Sequence, residues 1–360
     1  RVVRYIDFEE GDDANRGTMD SPWKHHPWDP SAAGQAARHR GATTYVFKRG
    51  VIYRGTLTAK ETGTADEPIR LTSDPDWGQG EASLYGSVLL AGGWKKADAD
   101  SAPEEMPDPQ KVWYIDVGTD FYPRSLWLKD AGGVRRIQLA RDPNWTVSDP
   151  EDVMREWYSW RRTRLVEVEV GDRVQGRVWA QDPDHLAGRP ADSYLGGTVW
   201  TEYTGVMGSP YANRIEAYQP ESGAIRFAGP WGAAGQGRMP GANQRYFVEN
   251  LPSLLDAPGE YYYAAEGEFA GRLFVRLPDD ADPNEARLEL PRRTVFIDIR
   301  DQSHIHISGL AFRFGNTDHW YDRWWNIDDV EPAGVKALGN CRDIHVTHCR
   351  FEYLPRAVMF

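Results

Sequence analysis

Short apolar runs separated by polar turns dominate this chain. Examples are YVF at 45–47, VIY at 51–53, IRL at 69–71, VEVEV at 166–170, TVWTEY at 198–203, AIRFAG at 224–229 and LFVRL at 273–277. Several alternate apolar with polar positions, the period of a strand that buries one face. Helical spacing is confined to two places. One is 31–40, after the start signal Asp29-Pro30 and closed by Gly41. The other is 148–160, where Ser148 and Glu151 have capping-box spacing and Val153, Met154, Trp157 and Trp160 share a face. The expected class is all-β.

A longer rhythm sits on top of the strands. SHIHISGLAFRF, from 303, matches RDIHVTHCRFEY, from 342: Ile305, His306, Ile307, Ser308 and Phe312 fall opposite Ile344, His345, Val346, Thr347 and Phe351, with Asp301 opposite Asn340. Val335, Lys336 and Ala337 recur as Val358, Met359 and Phe360, a shift of 23 rather than 39. Repeats of this length without a helix per unit predict stacked coils of a parallel β-helix. The longer shift is then one coil plus an insertion within 315–332. A loop inserted in one coil stands beside the sheet and is placed to bind.

Tyr45, Val51, Ile69 and Ser83 open comparable runs near the N-terminus. From about Trp94 to Arg293 the rhythm lapses, and hairpin signals appear at 214–229 and 260–277. The expected organisation is a cap and first coils at 1–94, an inserted antiparallel β-module at 95–293, and further coils at 294–360. The short helix at 31–40 is expected to cap the open end and hide a sheet edge. Val358, Met359 and Phe360 are apolar with no cap after them, so the coils are expected to continue beyond Phe360.

Composition narrows the partners. A net charge of −12 argues against a nucleic-acid or anionic-membrane surface. No apolar run reaches the roughly 20 residues that span a bilayer. Cys341 and Cys349 are the only cysteines, too few and too widely spaced for zinc, and core or turn thiols is the preferred reading over a disulfide.

Several segments, in order, resemble the bacterial right-handed β-helix glycoside hydrolases that include certain β-xylosidases and α-L-fucosidases, the group containing families 120 and 141. YIDFEEGDDANRGTMDSPWK resembles their opening motif, and YVFKRGVIYRGTL and PIRLTSDPDWGQGEASLYGS their first two coils. LWLKDAGGVRRIQLARDPNW is similar to the start of their inserted module. GEYYYAAEGEFAGRLFVRLPDDADPNEARLELPRR and VFIDIRDQSHIHISGLAFRFGN are similar to the return into the helix. The resemblance implies a secreted or periplasmic enzyme degrading plant or algal polysaccharide. It also implies catalytic carboxylates on coils beyond Phe360, so no catalytic residue is carried over.

The residues nominate a sugar site independently. FGNTDHWYDRWWNIDDVEP, 314–332, crowds indoles beside acids. Trp320, Tyr321, Trp324 and Trp325 offer faces for a sugar ring, with Asp318, His319 and Asp322 for its hydroxyls. Packing under the loop is the competing reading for two of the tryptophans. His306 and His345 share one coil position and are candidates to line the groove, or to form an ordinary exposed ladder. Hydrolysis needs two carboxyls flanking the bond, and Asp318, Asp322 and Glu352 are the weak candidates, with Asp328 and Asp329 nearby. His25 and His26, beside Trp23 and Trp28, are candidates for the groove or for the surface near the cap. No cofactor is expected. Calcium is left open by an acidic turn with Asp7, Asp12, Asp13 and Asp20, although turns use such residues for backbone reasons too. A polysaccharide lyase and a non-catalytic carbohydrate-binding β-helix stand as alternatives. Oligomeric state is left open.

Overall fold

The structure, a computed structural model, describes residues 2–170, 173–203, 206–228, 240–317 and 332–360. The protein is mostly β, as the alternating runs predict. Among the described residues there are six sheets, and three of them contain only parallel pairs. The first joins Val2–Ile6, Thr43–Arg49, Ile69–Gly78, Ile305–Ser308 and Ile344–Thr347. The second joins Ile52–Tyr53, Ala82–Tyr85, Leu310–Arg313 and Arg350–Glu352. The third joins Leu57–Thr58, Val295–Arg300, Ala333–Leu338 and Val358–Met359.

The chain visits these sheets in rotation, first to second to third and back to the first. Inward positions therefore stack from one visit to the next. Tyr45, Leu71, Ile307 and Val346 form one such column. Leu57, Ile297, Val335 and Val358 form another. Phe312 lies flat on Phe351, with ring centroids 4.8 Å apart and planes 7° from parallel. The matched segments are neighbours in the expected register, Ile305 opposite Ile344 and Val335 opposite Val358. Turns repeat as well. Asp301 Oδ1 accepts the backbone N–H of Asn340 at 2.8 Å, across the same 39-residue step. Left-handed backbone recurs at the same turns, at His304 and Asp343 (φ 58° and 54°) and at Phe314 and Tyr353 (φ 61° and 58°).

Between Tyr85, in the second sheet, and Val295, in the third, the chain leaves this rotation. It builds sheets of eight, five and four strands that are antiparallel, except where Gly133–Leu139 runs parallel to Glu260–Tyr263. Antiparallel pairing begins at Ser87–Leu90, against Arg287–Pro291. Both expected hairpins are present, Ala217–Gln219 with Ala224–Ala228 and Glu260–Tyr263 with Arg272–Arg276. Arg54 and Ser87 hold the excursion to the rotating sheets through Glu289. Arg54 donates two guanidinium bonds to its carboxylate, at 2.8 and 2.9 Å, and the Ser87 hydroxyl a third at 2.6 Å.

Several expectations need correction. Residues 148–160 form turns followed by the short strand Tyr158–Ser159, not a helix. Trp160 goes to a core while Val153 stays exposed, so the four residues do not bury a common face. The N-terminal helix is shorter, Gly34–Arg38, and seats Ala36 in the main core. Val2–Ile6, rather than this helix, forms the edge of the first sheet. His26 is neither in a groove nor on the surface: it is fully buried with Trp23 and Trp28, and its ring lies 4.1 Å from that of Tyr45. His25 is tied to Asp13 at 2.8 Å. In the acidic turn, Asp7 accepts from Lys48 Nζ at 2.6 Å, Asp12 from the backbone of Ala14, and Asp13 from the backbone of His25 and Ala33. These oxygens close the turn. Cys341 and Cys349 are free thiols packed partly against the core. Among the described residues, no helix is long and apolar enough to cross a membrane.

Candidate functional site

The connections from second to third sheet lie on one side of the stack. In one turn that connection is the antiparallel excursion. In the next it begins at Phe314, and in the last it runs through Tyr353, Leu354 and Pro355. An open cavity of about 470 Å³ lies where these connections meet, lined among others by Trp127, Trp200, Glu249, Arg124, Arg136, Thr317 and Tyr353.

Strand alternation aims the lining residues. On Arg245–Glu249, Tyr246 and Val248 enter a core with Val199 and Trp160. Phe247 and Glu249 consequently take the other face. Trp200, paired with Phe247, shares that face, and its ring lies 6.1 Å from the Phe247 ring at 12°. Trp127 is paired with Arg136, whose guanidinium lies 6.0 Å from the indole. The Trp127 ring lies 4.9 Å from Tyr353, which stacks on Phe314 at 5.2 Å and 11°. Asn316 stitches the two parts together: its amide donates to the Tyr122 carbonyl at 2.9 Å and its Oδ1 accepts from the Arg124 backbone at 3.1 Å. Indole faces thus come from the antiparallel sheets and the tyrosine from the parallel ones.

Glu249 supplies the chemistry. It is buried, and its Oε1 accepts the Trp200 indole N–H at 2.6 Å with Arg124 Nη1 at 3.7 Å. Burial pushes its carboxyl above the usual range, while Arg124, Trp200, Arg141 and Arg136 pull the other way. A carboxyl with a raised pKa beside aromatic faces keeps its proton to higher pH than an ordinary glutamate, and in that form can donate it or hydrogen-bond a hydroxyl. Among the described lining residues it is the only acid.

Of the residues nominated from the sequence, Asp318, His319, Trp320, Tyr321, Asp322, Trp324, Trp325, Asp328 and Asp329 lie outside the described residues. His306 and His345 do stack, with ring centroids 4.3 Å apart. They do so on the outer face of the first sheet and do not line this cavity. Glu352 is in the second sheet, its carboxylate 2.6 Å from Arg313 Nε. Trp127, Trp200 and Glu249 were missed. The available signal was the alternation in TVWTEY and RYFVE, which puts a tryptophan and a glutamate opposite the core-facing valines.

Comparison with known proteins gives the fold a relative. A solved structure named "Glycoside hydrolase" superposes on 88% of this chain with a TM-score of 0.55 at 19% identity. The chain spans about half of that protein, 51% of its length. A likeness at this identity is one of fold. Another, "The complex structure of XylC with xylose", covers 93% of this chain and 42% of its own at a TM-score of 0.34 and 11% identity. No protein-family profile matches the chain, and no curated protein matches it.

Proposed function

We propose that the chain belongs to a bacterial carbohydrate-active enzyme, a glycoside hydrolase working on plant or algal polysaccharide or oligosaccharide in the periplasm or outside the cell. On this reading the three rotating sheets are the faces of a right-handed parallel β-helix. Residues 1–94 and 294–360 supply its cap and coils, and 95–293 form an inserted module that walls the sugar site. The observation that carries the proposal is Glu249, an acid with a raised pKa that is bonded to Trp200 and lines one cavity with Trp127 and Tyr353. Aromatic faces suit the C–H side of a sugar ring, and a protonated carboxyl suits a leaving glycosidic oxygen.

Incubation with a glycan panel tests this. New reducing ends without ultraviolet-absorbing unsaturated products support hydrolysis, and absorbing products support a lyase. Glu249→Gln is expected to lower kcat by on the order of 10²-fold or more with a smaller change in KM. Activity should fall as pH rises through the raised Glu249 pKa, because the proton donor is lost, and the basic limb should vanish in Glu249→Gln. An unchanged kcat and pH profile in that variant removes Glu249 from the reaction. A second reading, a non-catalytic carbohydrate-binding protein, is favoured by one observation: hydrolysis calls for two carboxyls, and the described lining has one. Retained glycan without new ends would select it.

A further inference from the structure

We propose that the outer face of the first sheet carries a divalent transition-metal site built from His306, Asp343 and His345. The two histidines sit in register on adjacent strands, and neighbouring strands lie close enough for in-register side chains to share one ion. Asp343 precedes the second strand in left-handed backbone, which turns its carboxylate toward both rings. His345 Nε2 is 2.8 Å from Oδ1, and His306 Nε2 is 3.5 Å from Oδ2. One ligand atom from each of the three residues lies within 4.8 Å of the others. His304 Nδ1 bonds Asp343 Oδ2 at 2.7 Å and so orients the carboxylate from behind.

One ring nitrogen of the set is left without a good partner. His306 Nε2 is buried and has no hydrogen-bond partner among the described residues. Its approach to Asp343 is too long for a good bond. Two imidazole nitrogens and one carboxylate oxygen select zinc, cobalt or nickel, whereas calcium wants six or more oxygens. Asp343 and His345 keep 31% and 54% of their side chains exposed, leaving a coordination position open to solvent.

Arg70 sets the terms of binding. Its Nη1 donates to His306 Nδ1 at 3.1 Å, which keeps the ring proton on Nε2. A metal at Nε2 moves that proton to Nδ1, where it meets the guanidinium N–H, so Arg70 must swing away. Arg70 is a gate that opposes the ion.

Calorimetric titration of zinc into the full, metal-stripped chain tests the site, with circular dichroism confirming the fold of each variant. The expected result is one saturable zinc site per chain, which cobalt also fills in the zinc-free protein with a visible absorption band and which calcium leaves untouched. Asp343→Ala and His345→Ala should each weaken zinc by roughly tenfold or more, and Arg70→Met should tighten it. No saturable binding, or unchanged affinity in the two ligand variants, overturns the site. Unchanged or weaker binding in Arg70→Met overturns the gate.

Discussion

His26 and Glu249 are both buried titratable groups, and burial drives them in opposite directions. For His26 the charged form is the disfavoured one, so its pKa falls well below the ordinary 6.5, chiefly by desolvation with Lys60 and His39 adding to it. The unfolded chain therefore binds the proton first. Stability should hold above pH 6.5 and fall as pH drops below it, with a limiting slope of about 1.4 kcal/mol per unit from this group. His39 and His306 also have lowered values, so the test is the difference between the protein and His26→Asn in denaturant unfolding from pH 8 to pH 5. The variant's curve should be flatter, and parallel curves would refute this. Neither burial was legible from local sequence. Tyr45, Phe47 and Tyr53, which close over His26, come from later strands.

Column packing makes each strand depend on its neighbours. Phe312 is fully buried, its ring against Phe351 on one side. Phe312→Ala should cost about 3–5 kcal/mol in unfolding experiments, and Phe351→Ala, at a partly buried site, distinctly less. Equal losses would mean that the column is not the unit of stability. This level was readable, because parallel strands paired in register bring the same side-chain type back at a fixed step, visible in Ile305 and Ile344 without coordinates. The segment 148–160 was misread for a complementary reason. Its apolar spacing fits a helix, but Trp157 instead meets Phe247, ring centroids 4.5 Å apart, and Trp160 stacks on Tyr246 at 3.6 Å. Long-range aromatic contacts override a local period. The cavity escaped for the same reason: its lining residues lie far apart in sequence.

Across the whole molecule, the antiparallel excursion is useful only if it is held rigidly against the parallel sheets. The clamp of Arg54 on buried Glu289 does this. Arg54→Met should cost about 3–5 kcal/mol by stranding the carboxylate, and Arg54→Met with Glu289→Met should recover much of the loss. A double variant as unstable as the single one would contradict a stranded charge. With that clamp in place, Trp127, Trp200 and Tyr353 face one space although they come from different sheets. The most direct measurement is a crystal structure of the protein soaked with an oligosaccharide it retains. A sugar ring against Trp127 or Trp200, with a hydroxyl or the glycosidic oxygen hydrogen-bonded to Glu249, is the expected result. A sugar held on the outer face of the first sheet by His306 and His345, with the aromatic cavity empty, would contradict it.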